Sequence, residues 1–420
     1  MTTQSITDEI TIKTTNQADN ALQSKTISKT LILTLATVFA ISPFAIDTYL
    51  PAMPNMAEAM QVDISMVSVT VSLYILGMAL GQLIGGPLSD QKGRRFVMML
   101  GLLIFAVGSV LLTTSTSIEI LWLWRFIQAA GGGMAVVGVP AIIRDVSSGK
   151  ESAKLFSLIA LIMMIAPSIA PTVGTLILSM SSWQWIFYFL AVIAVVVIGL
   201  VMVFIPARSP QVKNITSTAK SFSKDSGLRS VFRQKNALGF MFAQAFAYSV
   251  MMTFLTNASM IYMKIFGVSA AHFSMLFIAN ICGLVIINRL NTLLLRWYEP
   301  ATLLKCFLLL QVSGGLILTA SVFIAPDLLY FAVIGFVVSI AANGGIMANA
   351  SACFLKYYAH NAGSASAVLG AMQYTVGAAI SAFAAVISMG NLLPVVLVML
   401  LSSTVALASA VSADKKSRTE

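Results

Sequence analysis

Residues 66–115 read MVSVTVSLYILGMALGQLIGGPLSDQKGRRFVMMLGLLIFAVGSVLLTTS. Two apolar runs, 66–87 and 96–115, flank a short turn that carries Asp90, Lys92, Arg94 and Arg95. Each run has about the length a helix needs to cross the hydrocarbon of a bilayer, roughly 20 residues. The apolar residues are continuous instead of alternating, which excludes the strands of a membrane barrel. The segment therefore predicts two membrane helices running in opposite directions, with the charges held at the water.

The same unit recurs outward in both directions. Further apolar runs lie near 30–50, 118–141, 155–178, 183–205, 236–262, 270–292, 301–323, 328–352, 362–387 and 391–411, for twelve spans in all. Hydrophobic residues make up 58% of the 420 positions and charged residues only 10%, with a mean hydropathy of +0.91. A soluble domain carries about 25% charged residues, so this chain cannot cover a water-facing surface of ordinary size. Residues 1–28 are polar and lack the apolar core of a cleavable signal peptide; a mostly disordered cytoplasmic tail is expected there.

Loop charges set the orientation. Lys92, Arg94, Arg95, Arg144, Lys150 and Lys154 follow spans 2 and 4, and Arg296, Lys305, Lys356, Lys415, Lys416 and Arg418 follow spans 8, 10 and 12. The opposite loops hold Glu58, Asp63, Glu119 and Asp327, with Lys264 the exception. Lys and Arg favour the cytoplasmic side, so both termini are expected in the cytoplasm. The net charge of +10 is then a topology signal and no nucleic-acid partner is expected. A basic linker, 207–235, divides the chain into six spans (29–206) and six spans (236–412), with a short tail at 413–420. Two six-helix halves joined by a long loop are the layout of transporters built from structural repeats.

Ionisable residues inside spans cost at least about 2.5–3.5 kcal/mol each at the bilayer centre, so they mark function first. Asp47 in span 1 and Arg125 in span 4 are the two clear cases, both in the outer half of the membrane. Equal depth permits an ion pair, direct or through water, that takes up or releases a proton when it is disturbed; a static pair that fixes packing is the alternative. Gln128 shares the face of Arg125, and Pro43 lies one turn before Asp47, where it weakens the helix. In span 5, Pro167, Pro171 and Gly174 share a face, as a flexing element or a passive kink. Cys282, Cys306, Cys353, His272 and His360 show no metal-ligand spacing. Neither a metal, a cofactor nor an enzyme's nucleophile and base is expected.

Several motifs resemble the major facilitator superfamily, and within it the Bcr/CflA group of bacterial drug-resistance pumps. Gly86-Pro-Leu-Ser-Asp90-Gln-Lys-Gly93-Arg94-Arg95 is similar to the superfamily's loop motif between spans 2 and 3. The resemblance implies a gate built from Gly86, Asp90, Gly93, Arg94 and Arg95, with Asp145 at the inner end of span 4. Asp47-Thr-Tyr-Leu-Pro51-Ala-Met-Pro54 resembles the end of span 1 in that group. Arg125-Phe-Ile-Gln128 is similar to a motif implicated in proton coupling, and APSIAPTVG (166–174) resembles one found in exporters. Trp183-Gln-Trp185 and Gly363-Ser-Ala-Ser-Ala fit as well. Gln91 stands where an Arg is usual, and Thr175 replaces the second Gly of the span 5 motif.

The resemblance implies an all-α membrane protein of the major facilitator fold, with twelve transmembrane helices in two pseudo-symmetric six-helix bundles. It implies a monomer in the bacterial inner membrane that exports lipophilic, drug-like small molecules in exchange for protons. The proton gradient is the energy source and Asp47 its one obvious carboxylate; transport of a native metabolite by the same fold is the alternative. Mid-span polar and amphipathic residues line either a substrate cavity or helix interfaces: Tyr49, Tyr74, Tyr248, Met251, Asn257, Asn280, Asn343, Gln373 and Tyr374.

Overall fold

Each apolar run folds as a helix, because in hydrocarbon a helix satisfies every backbone polar group within its own segment. The computed structural model describes residues 29–146, 149–205, 234–358, 362–388 and 390–418, and among these no strand occurs. The tail at 1–28 and nearly all of the linker lie outside the described residues. Eleven helices are long and apolar enough to cross a membrane, and the helix Gly149–Met180 supplies the remaining span. Large apolar side chains such as Leu103, Val195, Val203, Phe323 and Val386 are exposed around the bundle. That surface suits lipid and not water.

Spans 1 to 6 are Lys29–Asp47, Ile64–Lys92, Arg94–Thr113, Ile118–Val136 with its continuation Gly138–Val146, Gly149–Met180 and Gln184–Phe204. Spans 7 to 12 are Lys235–Ser259, Ala270–Leu294, Pro300–Ile324, Leu329–Ala341 continued by Asn343–Leu355, Ala362–Ser388 and Leu392–Arg418. A π-helical turn, Met260–Ile265, lengthens span 7. Within the first half, span 1 packs on spans 4, 5 and 6, span 2 on span 4, and span 3 on spans 4 and 6. The second half repeats the same pairings six spans later: 7 on 10, 11 and 12, 8 on 10, and 9 on 10 and 12. Hence the two bundles are pseudo-symmetric.

The halves meet along spans 2 and 11, 2 and 7, and 5 and 8. Several of their described cross-half hydrogen bonds fall where span 1 ends and along the first turns of span 2. Ser65 Oγ lies 3.2 Å from Ser388 Oγ, Ser72 Oγ 2.7 Å from Ser381 Oγ, and Ser259 Oγ donates to the Leu50 carbonyl at 2.5 Å. A Cβ added at Gly86 or at Gly370 would meet nothing within 4 Å. The described bonds between the halves thus close the bundle at the end away from Lys29 and Arg418.

Gly93 separates spans 2 and 3 at φ +95° and ψ 144°, a region that side chains other than glycine occupy at a cost of about 1–3 kcal/mol. Gly93→Ala is therefore expected to lower the thermal unfolding midpoint in detergent. Gly86→Ala, in open space within a helix, is expected to leave that midpoint unchanged or raise it slightly. Equal midpoints for the two variants would refute the assignment of strain to Gly93.

Candidate functional site

Span 1 stops at Asp47, and a 3-10 turn, Leu50–Ala52, and a short helix, Met53–Ala59, follow. Pro51 and Pro54 stand at the second positions of those two elements, within the first turn, where their missing N–H groups cost little. Ending the helix there leaves its last carbonyls without intrahelical partners. Arg125 fills that vacancy. Its Nη2 donates to the Ala45 carbonyl at 2.8 Å, and its Nη1 donates to Gln128 Oε1 at 2.6 Å. Gln128 Nε2 then donates to Ser109 Oγ at 2.6 Å, and that hydroxyl donates to the Phe105 carbonyl at 2.7 Å.

Aromatic rings enclose the same guanidinium. Its carbon lies 4.1 Å from the Tyr49 ring centroid, 4.4 Å from that of Tyr74 and 5.7 Å from that of Phe187. Tyr49 is held in turn by its hydroxyl, 2.7 Å from Thr70 Oγ1. Buried cation–π contacts are worth about 2 kcal/mol or more. The rings, the helix-end carbonyl and the glutamine therefore stand where a counter-ion would otherwise be needed.

Asp47 is 4% exposed and faces the other way. No ion pair joins it to Arg125 within 4.0 Å, and its Oδ1 is buried without a hydrogen-bond partner. The direct pair expected from equal depth is absent: Arg125 Nη2 is taken by the Ala45 carbonyl two residues earlier on span 1, and Nη1 by Gln128. Asp47 instead lines a cavity of about 350 Å3 between the halves. Pro43 and Asp47 from span 1, Met78 from span 2 and Pro167 from span 5 form one wall. Tyr248, Met251, Asn280 and Tyr374 belong to the other, with a continuous apolar surface from Phe254, Phe277, Ile281 and Leu284.

Four of the residues expected on a cavity wall thus line it: Tyr248, Met251, Asn280 and Tyr374. Five stand elsewhere. Tyr49 and Tyr74 are drawn to Arg125. Asn257 Nδ2 donates to its own helix at the Thr253 carbonyl, 2.8 Å away, and Asn343 Nδ2 to the Ile340 carbonyl at 3.3 Å. Gln373 accepts from Gln244 Nε2 at 2.7 Å. Of Pro167, Pro171 and Gly174 in span 5, Pro167 alone lines the cavity. Gly174 packs on the end of span 1, where any Cβ would collide with the Thr48 carbonyl. The side chains of Asp90 and Asp145 lie outside the described residues. Sequence reasoning missed the apolar wall of span 8, although Phe277, Asn280, Ile281 and Leu284 share one helical face by spacing alone.

The closed end of the bundle carries two further contacts between halves. Thr175 Oγ1 lies 3.1 Å from Ser274 Oγ and 3.3 Å from the Ala270 carbonyl. Lys264 Nζ pairs with Asp63 Oδ2. Partial burial pushes the Asp63 carboxyl up, but the Lys264 ammonium and the Ser65 amide outweigh it and hold it below the ordinary carboxylate range. The pair is therefore present above that range and is lost only as the pH falls through the lowered value. Spin labels on the 1–2 loop and the 7–8 turn should report the same closed population from about pH 8 to about pH 5. Asp63→Asn is expected to increase the open population throughout. A closed population that melts away near neutral pH in the unmutated protein would refute this account.

Residues 35–382 match the family model described as Major Facilitator Superfamily. The chain is 31% identical over 371 residues to the bicyclomycin resistance protein homolog of Haemophilus influenzae, a match spanning 88% of this chain and 92% of that one. It is 27% identical over 294 residues to multidrug resistance protein MdtL of Salmonella typhimurium, spanning 70% and 72%. Among solved structures, a bacterial homolog of the human lysosomal transporter Spinster, in an inward-facing and occupied conformation, is similar at a TM-score of 0.74 and 13% identity. That likeness covers 94% of this chain and 98% of the other. A D-xylose-proton symporter is similar at a TM-score of 0.70 and 16% identity, covering 90% and 97%. At such identities the two structures speak for the fold alone.

Proposed function

The chain belongs to the major facilitator superfamily of membrane transporters, and from that premise we propose that it is a proton-coupled antiporter exporting lipophilic organic compounds. It is a multi-pass membrane protein with a small-molecule substrate. One observation carries the proposal: a single carboxylate, Asp47, whose Oδ1 has no hydrogen-bond partner, on the wall of a largely apolar cavity. Such a group exchanges its proton according to what fills the cavity, which is the event that couples substrate to proton. Relatives named for bicyclomycin and multidrug resistance support the export direction.

The distribution of Lys and Arg supports a bacterial inner membrane with both termini in the cytoplasm. In that orientation the closed end is periplasmic and the cavity opens to the cytoplasm, the state in which an exporter loads. The two bundles, 29–206 and 236–412, rock about the cavity, and the linker 207–235 with its excess of Lys and Arg remains cytoplasmic. The protein works as a monomer, since each copy contains its own complete cavity.

The lining also bears on substrate class. Asp47, Asn280, Tyr248 and Tyr374 are the polar residues of the wall. A sugar brings many hydroxyls, each costly to strip of water without a partner, so an apolar compound with one cationic or polar group fits better. Growth of a pump-deleted host across a panel of antibiotics and lipophilic cations tests this reading. Raised tolerance to apolar compounds is expected. Sugar accumulation without any change in tolerance would overturn it.

A further inference from the structure

Tyr248 from span 7 and Tyr374 from span 11 meet edge to face in the cavity wall, with ring centroids 5.7 Å apart and an interplanar angle of 84°. Behind Tyr248 lies Gly377, one helical turn beyond Gln373 and Tyr374. A Cβ built at Gly377 would stand 2.9 Å from Tyr248 Cδ1, 3.1 Å from Tyr248 Cε1 and 3.4 Å from Met252 Cγ. The first of these distances is too short for two non-bonded carbons. The glycine is a notch, and the tyrosine ring rests in it.

The two helices cannot simply move apart to admit a methyl group. One turn earlier on each helix, Gln244 Nε2 donates to Gln373 Oε1 at 2.7 Å, and Ser351 Oγ of span 10 donates to Gln244 Oε1 at 2.8 Å. That amide bridge pins span 7 to spans 10 and 11 next to the notch. Gln244 is 5% exposed, and parting it from its partners would strand buried polar atoms. With the helices fixed, the ring has to yield, and the cavity is the space beside it.

We propose that Gly377 determines the size selectivity of the cavity: by letting Tyr248 lie back on span 11, it keeps open the space facing Asp47 for bulky substrates. Gly377 touches no substrate and acts through Tyr248, so it is a positioning residue. The inference rests on the reading of this cavity as the substrate site. It assigns the upper size limit of the transported compounds to a residue outside the lining.

Asp47 offers a readout that needs no known substrate. A carboxyl in an apolar cavity is modified by lipophilic carbodiimides, which add it across a C=N bond and leave a stable acylurea. The full-length protein in detergent is treated with the slim diisopropyl reagent or the bulky dicyclohexyl reagent, and Asp47 labelling is followed by mass spectrometry. Exposed Glu58 serves as internal reference. Gly377→Ala is expected to lower the dicyclohexyl-to-diisopropyl rate ratio at Asp47 by about tenfold, the usual scale for one methyl group in a pocket. Gly377→Ala combined with Tyr248→Ala should restore the ratio.

Equal slowing of both reagents, or a ratio that stays low in the double variant, overturns the proposal. If the added methyl prevents folding, Tyr248→Leu alone is expected to raise the ratio, and an unchanged ratio overturns it just as well. Failure of the underlying reading looks different. An Asp47 that reacts with neither reagent in the unmutated protein removes the cavity itself. A ratio that follows Gly377 while Asp47→Asn still drives export leaves this inference standing and removes proton coupling.

Discussion

Asp47→Asn is expected to yield a folded protein in which a pH gradient no longer drives substrate movement. Inside-out vesicles with an acidic lumen would show no substrate-triggered proton release, and accumulation would fall to that of vesicles without the protein. The fold should survive because Asp47 forms no ion pair within 4.0 Å and its Oδ1 has no hydrogen-bond partner. Losing no fixed contact, the substitution should change stability within about ±1 kcal/mol. Coupling should fail because among the residues that line the cavity Asp47 is the only ionisable carboxylate. Downhill exchange of substrate can persist, since the apolar walls are unaltered. Active export undiminished in the variant would remove Asp47 from the mechanism. The same single charge implies that a lipophilic monocation is carried better than a dication of similar size, whose second charge would be buried without a partner.

The features legible in the sequence were those with a chemical mark. Twelve spans followed from hydropathy, and Asp47 and Arg125 stood out because ionisable residues are rare in hydrocarbon. Their relation was not legible. It depends on where span 1 stops, and hydropathy ran that span on to about residue 50 whereas its α-helix ends at Asp47. Only that early end leaves the Ala45 carbonyl for Arg125 to take. The apolar wall of span 8 escaped notice for the opposite reason. Phe277, Ile281 and Leu284 look like any lipid-facing residues, and only the packing of neighbouring spans tells the two faces apart. Thr175, a departure from the span 5 motif, likewise gained its meaning from Ser274, about one hundred positions away.

Arg125→Lys is expected to be nearly as damaging to transport as loss of Asp47, and unlike it to destabilise the protein. A charge-only role would be met by either cation. The observed role requires two donors that diverge, one to Ala45 and one to Gln128, and a flat group that fits between the rings of Tyr49 and Tyr74. An ammonium is compact and strongly hydrated, and it does not stack. It can keep one of the two hydrogen bonds, so the loss should be about 1.5–3 kcal/mol, the worth of a hydrogen bond to a charged group. Thermal unfolding in detergent measures that loss. A lysine released from the Ala45 carbonyl is also free to turn toward Asp47 and form the pair that the arginine avoids. Asp47 would then hold a permanent counter-ion and exchange its proton poorly. Arg125→Met is the deciding comparison: it removes the charge and leaves both acceptors unpartnered. If Arg125 serves only to offset Asp47, lysine should retain function and methionine lose it. If the double cap is its work, both should fail, and the lysine variant should fail with the more tightly ionised Asp47.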